Sequence, residues 1–280
     1  MSVRIIVDSA TDLPPYLKGK LDTVHMTIHF GEEEYLDGVT ITHQEFYRKL
    51  VEGTALPTTS QAAPAVFEAM FRKVTEAGDT AVVITVSSLL SGTYQSAVIA
   101  TEEFENKVFV VDSRNVAIGA GILAELAVKL AEEGKSAGEI AAALEREREK
   151  VRLVAVVDTL EYLKRGGRVS KTVAFAGNLL SIKPVIGVSE GQIKMLGKAR
   201  GNRQGNQMML KQVEESGGMD VDKPILLGYT GTEDTMLRKF MEESADYWGA
   251  FGREIPSTIV GSVVGTHVGP DAIAVAWFAK

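Results

Sequence analysis

The 280-residue chain contains no cysteine, which excludes disulfide bridges and thiolate metal sites and fits a reducing compartment. It has no block of lysine or arginine either. With a formal net charge of -7, a nucleic-acid or anionic-membrane surface is not expected. No apolar run approaches the roughly 18 residues of a spanning helix, and the apolar stretch near the N-terminus is too short for a secretory signal. A cytoplasmic protein is expected. Internal repeats and low-complexity tracts are also missing.

Several catalytic signatures are absent as well. There is no Gly-x-Ser-x-Gly elbow, so a serine-hydrolase reading with Ser91 as nucleophile and His267 as base lacks its strained turn and its third member. Gly191 to Lys198 comes near a phosphate loop, yet the spacing to Gly197 is wrong, and Ala199 stands where a magnesium-binding hydroxyl is required. Gly119, Gly121 and Ala124 formally match a dinucleotide fingerprint. They begin too far past the strand ending at Asp112, and small residues for close helix packing explain them better.

What is present is an alternation of buried-strand and helix patterns over a length that suggests two domains, 1–150 and 151–280. The expected class is α/β with two lobes: an N-terminal parallel sheet flanked by helices and a C-terminal mixed sheet with helices. Residues 81–86 form an apolar β-branched run that leads into Ser87, Ser88 and Ser91. Ser91 sits where an N-cap belongs, and Gly92, Thr93 and Tyr94 would then present backbone N–H groups to an anion. A second hydroxyl-rich loop, Thr58, Thr59 and Ser60, precedes the helix opened by Pro64. In a parallel sheet such loops converge on one edge, where ligands of open α/β folds bind.

Asp8 and Asp12, at the end of the first strand, read as loop and cap devices. Thr23 to Phe30 alternates as one strand, with His25 and His29 on its polar face. Thr42 and Glu45 form a capping box, as do Ser136 and Glu139. In the second half, residues 171–180 read as an apolar helix that is core or lines an apolar cavity. Pro184 to Val188 and Gln192 to Leu196 read as a hairpin, followed by helices from about Asn206 and from Asp234 to Trp248. His267 falls in a glycine-rich loop between the last two strands. Hydroxyls and a helix end beside apolar walls suit a small anionic head on an apolar body.

Six segments together resemble the DegV family across essentially the whole chain: Asp8 to Leu13 (DSATDL), Thr59 to Gln61 (TSQ), Ser87 to Tyr94 (SSLLSGTY), Thr159 to Ser170 (TLEYLKRGGRVS), Gly197 to Gly201 (GKARG) and Gly265 to Pro270 (GTHVGP). Ala62 and Asp271 depart from the residues the family often carries there, and Asp tolerates the positive φ that the second position needs. The resemblance implies a fatty-acid-binding protein serving a separate ATP-dependent kinase in bacterial fatty acid metabolism, without catalysis or cofactor of its own. It implies a long-chain fatty acid such as palmitate as ligand, and transient membrane contact during lipid exchange. Thr59, Ser91 and His267 would meet the carboxylate, with Ser60, Gly92 and Thr93 nearby. Arg168 and Arg200 would lie toward the kinase. Two other readings stay open: an enzyme acting on a small phosphorylated or carboxylated metabolite at the same loops, and a regulatory protein whose ligand switches a partner interaction.

Overall fold

The fold is that of a computed structural model, which describes residues 2–53, 55–169 and 182–280. The first part of the chain runs through β1 (Val3–Asp8), β2 (Asp22–Val24), β3 (Thr27–Phe30), β4 (Glu33–Leu36), α1 (His43–Glu52), β5 (Thr58–Ser60) and α2 (Pro64–Glu76). It continues through β6 (Thr80–Thr85), α3 (Thr93–Ile99), β7 (Val108–Asp112), α4 (Ala117–Glu132) and α5 (Ala137–Glu147). Then follow β8 (Val151–Val156), α6 (Glu161–Arg165), β9 (Ile182–Ser189), β10 (Gln192–Arg200), α7 (Gly201–Glu215) and β11 (Leu226–Tyr229). The last elements are α8 (Thr235–Glu243), α9 (Ala245–Gly249), β12 (Ser257–Ile259), α10 (Ser262–Val268) and β13 (Ile273–Phe278).

Three sheets result among the described residues. β2-β1-β6-β7 is fully parallel. β10-β9-β8-β13-β11-β12 is mixed, with only the β11–β12 pair parallel. β4-β3-β5 is a small antiparallel sheet. The expected α/β class, parallel first and mixed second, is therefore what the chain adopts.

Strand β8 shows how the large sheet is covered. Leu153 and Ala155 join the principal core, while Val154 and Val156 join a second core with Met209 and Val213 of α7. Period-two alternation thus places two hydrophobic layers on opposite faces. Helix α4 supplies the cover on the inner face. It contacts β1 and β6 of the parallel sheet and β8, β11 and β13 of the mixed one. Its residues are buried almost all round, from Ala117 through Ala124, as expected of a helix enclosed by sheet on two sides. Gly121 explains the close approach, since a Cβ there would stand 2.0 Å from the carbonyl oxygen of Asp12 and 3.5 Å from Leu226. The small residues at Gly119 and Gly121 are packing contacts, as read from the sequence.

Several expectations are corrected. Residues 23–30 are not one strand. β2 pairs with β1 and β3 with β4 and β5, because the chain bends at His25 and Met26, where Met26 N–H donates to Ser9 Oγ at 3.0 Å and His25 Nδ1 bonds Asp37 O at 2.7 Å. The inside-outside alternation nevertheless persists through the bend. Thr58 to Ser60 is strand β5 rather than a loop. His267 lies in helix α10, not in a glycine loop. Gly265 misled that reading: it is small because a Cβ would meet Tyr47 Oη at 2.6 Å, so it marks tight packing of α10 on α1. Helix α7 begins at Gly201, earlier than Asn206, and the helix expected from Asp234 to Trp248 is divided at Ser244. Both capping boxes form, and Asp271 takes φ 59°. The apolar helix read over 171–180 lies outside the described residues.

Candidate functional site

Two cavities lie side by side inside the molecule. The first, with about 490 Å³ of empty space, is walled by Thr59, Ser91, Arg168 and His267 together with apolar residues such as Met26 and Leu163. The second, also about 490 Å³, lies between the inner face of the mixed sheet, the start of α4 and helix α10. Val116, Ile193, Val264 and Val268 wall both, so the two lie on either side of those side chains. They are called the head and tail chambers below.

Four distant segments deliver the polar groups of the head chamber. Thr59 sits mid-strand in β5, and its Oγ1 bonds His267 Nε2 at 3.0 Å. Burial and then the charge of Arg168 push the imidazole down to a pKa of about 4, so it is neutral near pH 7 and offers one N–H. Its Nδ1 is buried without a hydrogen-bond partner among the described residues, lying against Gly166, where a Cβ would be 2.2 Å away. Arg168 is half-buried in the chamber wall, its Nε donating to Leu90 O at 3.1 Å and its Nη1 to Gly166 O.

Ser91 precedes the cap rather than forming it. Gly92 occupies the N-cap position of α3, and Thr93 N–H donates back to Ser91 Oγ at 3.3 Å. The Ser91 and Thr93 hydroxyls bond each other at 2.9 Å. With α3 only seven residues long and one of its first N–H groups engaged, the polarity of the chamber rests on side chains, not on a helix end. Gly92 lets the Gln61 carboxamide lie close, 2.0 Å from where its Cβ would stand, and Gln61 in turn donates to Ser96 Oγ at 2.9 Å. Ser60, the strand neighbour of Thr59, points the other way, exposed and bonded to His29 Nε2 at 2.8 Å. Arg200 is exposed at the start of α7, apart from both chambers. The structure therefore brings Thr59, Ser91, His267 and Arg168 together, keeps Gly92 and Thr93 behind Ser91, and leaves Ser60 and Arg200 outside.

Buried carboxylates hold this frame. Asp8 accepts from Ala10 N at 2.9 Å and Val86 N at 2.7 Å, pinning two chamber walls. Burial pushes its pKa up to about 6 against those bonds. At the foot of α10, Asp12 Oδ1 accepts from Gly261 N at 2.7 Å, and Asp37 accepts from Ser262 N at 3.2 Å and Val263 N at 3.4 Å. Burial raises Asp12 to about 7, opposed by nearby His43. Burial lowers the His43 pKa, but its 3.5 Å approach to Asp37 and the charges of Asp37 and Asp12 more than reverse this. Reading Asp8 and Asp12 as loop devices agrees with these bonds. Sequence reasoning missed Asp37 and His43, and it missed that Arg168 turns inward. A lone Asp before glycine and an arginine after a pair of glycines carry no signal of what they will face.

In an α/β protein, a polar chamber beside an apolar one suits an amphiphile-shaped ligand in its geometry. The chain belongs to the DegV family, whose model matches residues 2–280. A DegV domain-containing protein of Caldanaerobacter subterraneus is 34% identical over 98% of this chain and 97% of its own. Among solved structures, the fatty-acid-binding DegV family protein of Thermus thermophilus is 33% identical with a TM-score of 0.89 over the whole of both chains. A stearic acid-binding protein of Eubacterium ventriosum is 29% identical with a TM-score of 0.86, over 100% of this chain and 99% of that one. No helix among the described residues is long and apolar enough to cross a membrane, and no group of potential metal ligands occurs among them.

Proposed function

We propose that this protein binds a long-chain fatty acid, carboxylate in the head chamber and hydrocarbon in the tail chamber, and presents the carboxyl group to a separate ATP-dependent kinase that forms the acyl phosphate. The observation that carries the reading is the adjacency of the two chambers across a shared apolar wall: hydroxyls, imidazole and guanidinium line one, and mainly apolar side chains line the other. The relatives that bind fatty acids support it.

Burying a methylene is worth ~0.8 kcal/mol, so a chain of about fifteen supplies on the order of 10 kcal/mol before association and ordering costs. A hydrogen bond to a charged group adds about 1.5–3 kcal/mol. The tail sets affinity and the head sets orientation. Thr59, Ser91 and the neutral His267 supply hydrogen bonds, and Arg168 supplies charge. The protein itself transfers no group. Arg200, exposed and outside the chambers, faces the kinase in this reading, which takes 1–150 as the head-group lobe and 151–280 as the acyl-lining lobe. Exchange of lipid in the cytoplasm involves brief membrane contact.

Lipid extraction and mass spectrometry of the purified protein should find close to one equivalent of fatty acid. In a reconstituted kinase assay, Thr59→Val with Ser91→Ala should abolish turnover while much of the lipid is retained. Unchanged turnover would remove the head-chamber assignment. Magnesium-dependent nucleotide turnover by the isolated chain would favour the enzyme reading instead.

A further inference from the structure

The tail chamber is hollow because of what three neighbouring strands lack. Ala274 of β13 is paired with Ala155 of β8 on one side and with Gly228 of β11 on the other. Directly opposed residues share a sheet face, about 5 Å apart. Ala155, Ala274 and Gly228 therefore form a row of minimal side chains across the inner face, and all three wall the chamber. Ala276, two residues on along β13, and Ala272, just before the strand, are 0% and 3% exposed, whereas Ala274 between them is only half-buried. A residue at the centre of a covered central strand is open to nothing except the chamber. Beyond Gly228 the space closes, since a Cβ there would already stand 3.1 Å from Ile118 and 3.2 Å from Val260.

We infer that Ala274 determines which acyl chain lengths this protein accepts: its methyl group is the floor of the tail chamber, and any larger side chain there occupies the space of the terminal methylenes. The inference rests on the fatty-acid reading above and adds to it the residue that sets selectivity. Each methylene turned out of the chamber lowers affinity about 4-fold. A leucine at 274 that displaces two or three methylenes should thus weaken binding of an 18-carbon acid by about 15- to 60-fold. A 12-carbon acid, which stops short of the floor, should bind within about 2-fold of wild type.

The test is a competition titration of delipidated protein with saturated acids of 12, 14, 16 and 18 carbons, using wild type, Ala274→Leu and Ala274→Gly. The expected result is a ratio of 18-carbon to 12-carbon affinity that falls in Ala274→Leu and is maintained or raised in Ala274→Gly. Should Ala274→Leu lose its cooperative thermal transition, Ala274→Val replaces it with a smaller fall expected, about 4- to 15-fold. Ratios equal to wild type in the folded variants overturn the role of Ala274 while leaving fatty acid binding intact. Failure of wild type to bind any of the four acids overturns the fatty-acid reading, and the role of Ala274 with it.

Discussion

The head and tail chambers share Val116, Ile193, Val264 and Val268, yet they are made by opposite means. In the head chamber, four segments each bring a polar side chain: Thr59 from β5, Ser91 before α3, Arg168 after α6 and His267 from α10. The tail chamber is made by omission, where paired strands carry alanine and glycine and the space is left unfilled. One end is specified by chemistry that must be positioned, so buried carboxylates brace it. The other is specified by shape and, among the described residues, has no carboxylate, imidazole or amine in its wall. In the proposed function, orientation and affinity are therefore separable.

Shortening the ligand tests the tail chamber most directly. Going from an 18-carbon to a 12-carbon acid removes six methylenes, about 5 kcal/mol at ~0.8 kcal/mol each, so affinity should fall by up to roughly 10³-fold. A fall below tenfold in the same competition titration would mean that the tail chamber does not hold the chain.

Protons should act on the head alone. Asp12, raised to about 7 in the folded protein, binds its proton more tightly there than when unfolded. Its contribution therefore makes the protein less stable as pH rises from about 4 to 7. His267, lowered to about 4, has the opposite sign: the unfolded chain binds the proton better, so stability rises from about pH 4 to 6.5. In urea unfolding across pH 4 to 8, Asp12→Asn should remove a falling contribution and His267→Gln a rising one, each about 3–4 kcal/mol at most. Ala274→Leu should leave the profile's shape unchanged. A shift of shape in that variant would show the two ends to be coupled.

Smaller effects sharpen the boundary of the head. Thr59→Val removes the partner of His267 Nε2 and should weaken a 16-carbon acid by about 1 kcal/mol, roughly fivefold, in the same titration. Ser60→Ala, whose hydroxyl is exposed and bonded to His29 on the far side of β5, should change binding less than twofold. A loss at Ser60 matching that at Thr59 would mean that the strand faces the chamber differently when ligand is bound.

Legibility followed the same division. Thr59, Ser91 and His267 stood out because hydroxyls and imidazole near strand ends and glycines are chemically conspicuous, and six short segments in order resembled one family. Their local structure was less visible. The helix around His267 was hidden because Gly265 serves packing against Tyr47 rather than a turn. The Thr59 strand was hidden because a three-residue pairing with β3 is a long-range event with little local pattern. The tail chamber left almost no trace. Ala155, Gly228 and Ala274 are unremarkable singly and become a cavity only through the register of three strands spread over more than a hundred residues.

Helix α4 touches strands of both large sheets, and this restricts how relatives could be recombined. A hybrid joined at residue 150 would keep α4 with its native parallel sheet but set it against a foreign mixed sheet. A junction at residue 116 would reverse the mismatch. Neither crossover preserves both contacts, so functional hybrids should require donor residues on α4 chosen face by face, the side toward β1 and β6 from one parent and the side toward β8, β11 and β13 from the other.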